Sequence, residues 1–181
     1  KKKIKEEGVN VAIETSCFSK WKKIQPLLKF VDYFLVDIKT LDPDKHSQVV
    51  GCPLEPILEN IKNLIESEAN LRIHLPIIPG FNDTIQDYKS YEFFLSDFAE
   101  RLGGVDILPF HTFGQGKYNA LGRGETYKYM NAKQITNKEV VKLARALKKL
   151  NINDVTIGGL VGMGMNKVMR KEGCDELVPI S

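Results

Sequence analysis

Short apolar runs alternate with amphipathic stretches along most of the chain, and this alternation constrains the fold more than any other feature. Strand-type runs occur at 9–15, 33–38 (YFLVDI), 71–78, 105–110 and, more weakly, 155–157. Between them the apolar residues move to helical spacing. Ile57, Leu58, Ile61, Leu64 and Ile65 share one helical face, and 84–102 places Ile85, Tyr88, Tyr91, Leu95, Phe98 and Leu102 on another. Residues 137–150 follow a capping box, Thr136-x-x-Glu139, with Val140, Ala144, Leu147 and Leu150 inward. Trp21, Ile24, Leu27, Leu28 and Val31 have roughly helical spacing, but Pro26 makes that element short or irregular. Strand then helix, repeated four or more times, predicts an α/β fold with a parallel sheet. An open doubly wound sheet and part of a β/α barrel both satisfy the pattern. The run at 33–38 reads as a strand buried on both faces.

Composition narrows the function classes. The chain has 181 residues, 43% hydrophobic and 27% charged, enough for one domain. Lys and Arg number 26 against 23 acids, a net charge of +3, which predicts no strong attraction to nucleic acid or an anionic membrane. No apolar run reaches the length of a membrane span, and Lys1-Lys2-Lys3, followed by Glu6 and Glu7 and no apolar stretch, is not expected to open a signal peptide. Cys17, Cys52 and Cys174 are too widely spaced for a disulfide framework or a local metal motif, so a reducing cytoplasm is expected. The glycine-containing segment 112–135 reads as a long functional loop, and 160–181 as a tail without clear periodicity.

In a parallel α/β sheet, ligands bind beyond the carboxyl ends of the strands. The first strand ends in Glu14-Thr15-Ser16, and the second in Asp37-Ile38-Lys39 with the two charges on one face. The third carries Arg72, His74 and Pro76 on one face before Pro79-Gly80-Phe81-Asn82-Asp83, and the fourth reaches His111. Each has a structural reading too. Asp37 and Lys39 suit an ion pair, the histidines suit core hydrogen bonds, Glu14-Thr15-Ser16 suits a turn, and Asn82-Asp83 suits a cap for the following helix. Charged groups at equivalent places on four strands favour one shared pocket, for a polar ligand carrying both charge signs.

Five strings in order, VAIETSCF, DYFLVDIKTLDPDKH, ILENIKNL, LRIHLPIIPGFND and LPFHTFGQGKYNALG, resemble the radical S-adenosylmethionine activating enzymes that install a glycyl radical, the pyruvate formate-lyase activating type. The resemblance implies the C-terminal part of a partial (β/α)6 TIM-type barrel, with four to five parallel strands, over residues 1–159, followed by the 160–181 tail. It implies S-adenosylmethionine and a [4Fe–4S] cluster in the complete enzyme, a glycyl radical enzyme as partner, and flavodoxin or ferredoxin as electron donor. Reductive cleavage of the cofactor there yields a 5′-deoxyadenosyl radical. Asp37, Lys39, His74 and His111 match cofactor-binding positions. Glu14 and Thr15, with Asp37, match a monovalent-cation site. Asn82 and Asp83 match the family's Pro-Gly-x-Asn-Asp turn, and Gly114, Gly116, Lys117 and Tyr118 fall in a segment that resembles the loop adjusting around the partner's glycine loop.

Two departures stand out. His74 occupies a position where the family usually has Arg. The Cys-x3-Cys-x2-Cys motif that ligates the cluster does not occur, so no cluster is expected on this chain and this portion alone is expected not to generate a radical. Two other readings compete: a cluster-independent barrel lyase or aldolase with Lys39 as Schiff-base amine, and a non-catalytic module that binds a partner protein.

Overall fold

The computed structural model describes residues 7–110, 120–122 and 132–158. Five strands, β1 (Ala12–Thr15), β2 (Tyr33–Asp37), β3 (Leu71–Ile77), β4 (Gly104–Pro109) and β5 (Val155–Ile157), form one sheet in the order 1-2-3-4-5, every pair parallel. A doubly wound sheet reverses its strand order at a switch point. This order runs straight through, so the sheet is an arc of a β/α barrel and not a doubly wound sheet.

The helices are α1 (Trp21–Ile24), α2 (Pro43–Lys45), α3 (Glu55–Glu66), α4 (Ile85–Ser96) and α5 (Asn137–Lys148). Pro26 has the expected effect: α1 is one turn long and passes into a 3-10 turn at Gln25–Lys29. Register and side-chain alternation sort the sheet residues onto two faces. Phe34, Val36, Ile38, Leu71, Ile73, Leu75, Ile77, Val105, Ile107 and Val155 point to the helices. There they form one core with Ile57, Ile61, Leu64 and Ile65 of α3, Tyr91 and Leu95 of α4, and Val140, Leu143, Ala144 and Leu147 of α5.

Two expectations are corrected. Strand β2 is not buried on both faces: Phe34 and Val36 are buried, whereas Tyr33 is exposed and Leu35 and Asp37 are only partly covered. Its apolar run reflects a barrel strand whose second face meets other side chains, not a helix layer. The long helix over 84–102 is interrupted. Helix α4 stops at Ser96, a 3-10 turn follows at Ala99–Arg101, and Ile85 is 76% exposed, so it is not part of the inward stripe. The cap of α4 is also not Asn82-Asp83. Thr84 is the N-cap, accepting from the Asp87 N–H at 3.1 Å while the Asp87 carboxylate accepts from the Thr84 N–H at 3.1 Å. At α5 the expected box is present, with the Glu139 carboxylate accepting from the Thr136 N–H at 2.7 Å. The tail beyond 159 lies outside the described residues.

Candidate functional site

The face turned away from the helices is polar. One register row reads Asp37, His74, Asp106 and Thr156 across β2 to β5; the row before it reads Glu14, Leu35, Arg72 and Gly104 across β1 to β4. Four adjacent strands therefore place ionisable groups side by side, toward the carboxyl ends of β1 and β2.

Asp106 organises this face. It is fully buried, and Arg72 grips it with two bonds, Nη2 to Oδ1 at 2.6 Å and Nε to Oδ2 at 3.0 Å. The Thr156 hydroxyl donates to Oδ1 at 2.6 Å, and His74 Nε2 lies 3.2 Å from Oδ2. Burial works to raise the Asp106 carboxyl. Hydrogen bonds from His74, Arg72 and Thr156 and the Arg72 charge outweigh it, holding the group well below the usual carboxylate range. Arg72 also reaches Asp154 Oδ2 at 3.0 Å and the Gly103 carbonyl at 3.1 Å. Burial would lower the Arg72 guanidinium, but its bonds and charge partners Asp106 and Asp154 keep it raised. This packing explains Gly104: at φ +154°, a Cβ there would lie 2.7 Å from Arg72 Cζ and 2.7 Å from the Asp154 carbonyl oxygen.

A carboxylate can only accept, so the bond to Asp106 places a proton on His74 Nε2. The other ring nitrogen, Nδ1, is buried and makes no hydrogen bond. It points toward Asp37 Oδ1 at 3.7 Å and Glu14 Oε1 at 3.9 Å, both beyond hydrogen-bond distance. Asp37 is held on its other oxygen by Lys39 Nζ at 2.9 Å. The result is a half-open basin with two carboxylates, one ammonium and one unpartnered imidazole nitrogen.

The carboxyl ends of β2 and β3 are tied together from below. Asn82, fully buried, donates to the carbonyls of Lys39 at 2.6 Å and Pro76 at 2.7 Å, while its Oδ1 accepts from the Ile78 N–H at 2.7 Å. The Tyr91 hydroxyl of α4 also lies 3.2 Å from the Lys39 carbonyl and donates to it. Asn82 thus sets the backbone carrying Lys39, and Asp83 accepts from the Gly80 N–H at 3.0 Å within the turn. On β1, Thr15 points to the opposite face from Glu14, and its hydroxyl accepts from the Cys17 N–H at 3.0 Å. Its side chain does not join Glu14 and Asp37. Cys17 is buried, with its carbonyl bonded by Asn60 Nδ2 at 2.8 Å, and burial pushes its thiol up to about 12 despite the Thr15 bond.

Of the residues expected from sequence, Glu14, Asp37, Lys39 and His74 converge. His111 and the loop residues Gly114, Gly116, Lys117 and Tyr118 lie outside the described residues. Asp106 was not anticipated. Its signal was a single acid inside the otherwise apolar string VDIL, which cannot be buried without a cationic partner.

No family model matches the chain. Over 161 residues it is 47% identical to the benzylsuccinate synthase activating enzyme of Thauera aromatica, covering 88% of this chain and 48% of that protein. It is 35% identical over 120 residues to the choline trimethylamine-lyase activating enzyme of Oleidesulfovibrio alaskensis, covering 65% of this chain and 39% of that one. The chain is a homologue of the glycyl-radical-enzyme activating enzymes. A crystal structure of a domain of pyruvate-formate lyase-activating enzyme from Bacteroides vulgatus shares the fold, with a TM-score of 0.70, 21% identity, and 87% and 86% of the two chains covered. The chain spans about half the length of the curated relatives it matches.

A zwitterionic, sulfonium-bearing ligand fits the basin, where acceptors (Glu14, Asp37 and His74 Nδ1) lie beside a donor, Lys39. An iron–sulfur cluster does not fit the described cysteines. Cys17 is a buried thiol that holds its proton, and Cys52 is the one other cysteine among the described residues, short of the three thiolates a cluster needs.

Proposed function

We propose that this chain supplies the S-adenosylmethionine-binding strands of an activating enzyme that installs a radical on a glycyl radical enzyme. The observation that carries the reading is the convergence of Asp37, Lys39, Glu14 and His74 beyond the strand ends, in a chain whose relatives are activating enzymes. In the complete enzyme the cluster and S-adenosylmethionine, when bound, supply one-electron cleavage of the cofactor. This chain's residues bind and orient it. Lys39 donates to an anionic group of the ligand, Asp37 holds Lys39 in place, and Asn82 fixes the backbone between them and β3. His111 and the segment with Gly114, Gly116, Lys117 and Tyr118 complete the pocket and face the partner in this reading. The 47% relative makes a benzylsuccinate-synthase-like protein the first partner to try, with a flavodoxin or ferredoxin as electron donor.

The binding arm of the test titrates S-adenosylmethionine into the chain and into Lys39→Met and Asp37→Asn. Each charged hydrogen bond is worth about 1.5–3 kcal/mol, so each variant is expected to bind roughly 10- to 100-fold more weakly. The catalytic arm uses the full-length protein, reduced and anaerobic, and looks for a glycyl radical spin signal on the partner. Binding that is unchanged in both variants, or a full signal from a Lys39→Met enzyme, would overturn the reading.

A further inference from the structure

Asp106 makes more bonds than its charge requires. The buried carboxylate is already neutralised by Arg72, with Nη2 on Oδ1 at 2.6 Å and Nε on Oδ2 at 3.0 Å. Thr156 takes the second position on Oδ1 at 2.6 Å, and His74 Nε2 fills the remaining one on Oδ2 at 3.2 Å. Strand register places every member. His74 lies beside Asp37 of β2 and Asp106 of β4, and Asp106 lies beside Thr156 of β5. Held from both neighbouring strands, Asp106 cannot turn away from His74 without stranding a buried charge.

The consequence falls on the other side of the ring. A neutral imidazole carries one proton, and carboxylates compete for it from two directions: Asp106 at Nε2, and Asp37 and Glu14 facing Nδ1 at 3.7 and 3.9 Å. Only the Asp106 separation is a hydrogen-bond distance. We infer that Asp106 is a positioning residue for the basin: by holding the His74 proton on Nε2, it keeps Nδ1, Asp37 Oδ1 and Glu14 Oε1 free to accept N–H or O–H groups of a bound ligand. With the proton on Nδ1 instead, the ring would turn a donor into the basin and occupy one of those two carboxylates itself. The polarity of this wall is therefore set from the next strand, by a residue with no exposed surface. Lys39 is left as the donor of the basin.

This role rests on the S-adenosylmethionine reading of the basin, so one arm of its test needs no ligand. The His74 ring nitrogens are recorded by NMR at pH 8 in the full chain and in Arg72→Met/Asp106→Leu, where an apolar pair replaces the buried ion pair and the fold is kept. The wild type is expected to carry its proton on Nε2. In the double variant Nε2 faces an apolar side chain while Nδ1 still faces two carboxylates, so the proton is expected on Nδ1. The second arm titrates S-adenosylmethionine into the same proteins, into His74→Leu, and into the triple variant. Losing an acceptor from the basin is expected to weaken binding by the double variant about 10-fold or more. His74→Leu leaves Asp106 its bonds to Arg72 and Thr156, and adding the other two substitutions to it is expected to cost no further affinity, because Asp106 acts through His74. A purely structural role predicts the same loss with and without His74. A proton that stays on Nε2 in the double variant, protons on both nitrogens of the wild type, or additive losses of affinity would overturn the inference. Lys39→Met that binds as tightly as the wild type would overturn the cofactor reading instead, with the proton position still decided on the free chain.

Discussion

Residues 106 and 107 are neighbours in β4 and are equally buried, yet they belong to two different kinds of interior. Ile107 joins the apolar layer under the helices, held by non-directional burial that many residues share. Asp106 sits in the barrel-side layer, where every atom is committed to a named partner: Arg72, Thr156 and His74. The helix side stabilises the fold by area. The barrel side holds a geometry. A buried ion pair is often no more stabilising than an apolar replacement of equal volume, but breaking it by removing one partner is severe.

The largest expected effect follows. Asp106→Ala leaves the Arg72 guanidinium, in a site 7% exposed, with only Asp154 and the Gly103 carbonyl on Nη1, and is expected to cost about 3–5 kcal/mol in urea unfolding. The double variant Arg72→Met/Asp106→Leu is expected to recover most of that loss. If the single variant costs no more than 1 kcal/mol, the two-interior contrast fails. On the other face, Ile107→Val shortens one buried side chain by a methylene and is expected to cost about 0.5–1.5 kcal/mol.

The contrast explains what could be read in advance. The helix-side layer was legible because its signal is periodic. The stripe of Ile57, Ile61, Leu64 and Ile65, the strand runs and the Thr136–Glu139 box all repeat at spacings set by backbone geometry. Strand order was not legible, because the same β-then-α rhythm serves a doubly wound sheet and a barrel; only register decides. At the site, Asp37, Lys39, Glu14 and His74 were found by their place at strand ends. Asp106 was overlooked because its role depends on two partners 34 and 50 positions away, Arg72 and Thr156. The side chain of Thr15 turns away from Glu14, which the sequence does not show because the face of a single residue turns on a one-residue register. Asn82 was read as a cap or ligand because sequence cannot show that Lys39 and Pro76 bring two carbonyls to it.

Acid separates the layers further. Asp106 and Asp87 both titrate below their ordinary range. At Asp87 burial opposes the shift, while the Thr84 and Lys45 bonds produce it. A carboxyl depressed in the folded state contributes stability that is present above its unfolded pKa of about 4 and is lost as pH falls toward its folded value. Unfolding free energy should therefore hold steady down to about pH 5 and then decline, and Asp87→Asn should flatten part of that decline. A flat profile from pH 5 to pH 2 would show that neither carboxylate is held as the geometry implies. At the alkaline end the sign reverses for Cys17. Its raised thiol keeps its proton when folded, so stability falls as pH rises from about 9 toward about 12. At pH 8, Cys52 should alkylate well before Cys17.

The smallest stability effect belongs to the residue with the largest proposed role in binding. Lys39 and Asp37 form a pair with side chains 36% and 21% exposed, at the open mouth of the basin. Solvent screens such pairs, so Lys39→Met should change unfolding free energy by only about 0–1 kcal/mol. The same substitution is expected to weaken S-adenosylmethionine binding by an order of magnitude or more. Equal and small effects on both would make Lys39 a surface residue. A stability loss comparable to that of Asp106→Ala would make it part of the locked layer behind it. Only a small stability change with a large binding change is what a ligand-facing ammonium predicts, because its partner in the free protein is exposed enough to be solvated when the lysine is gone.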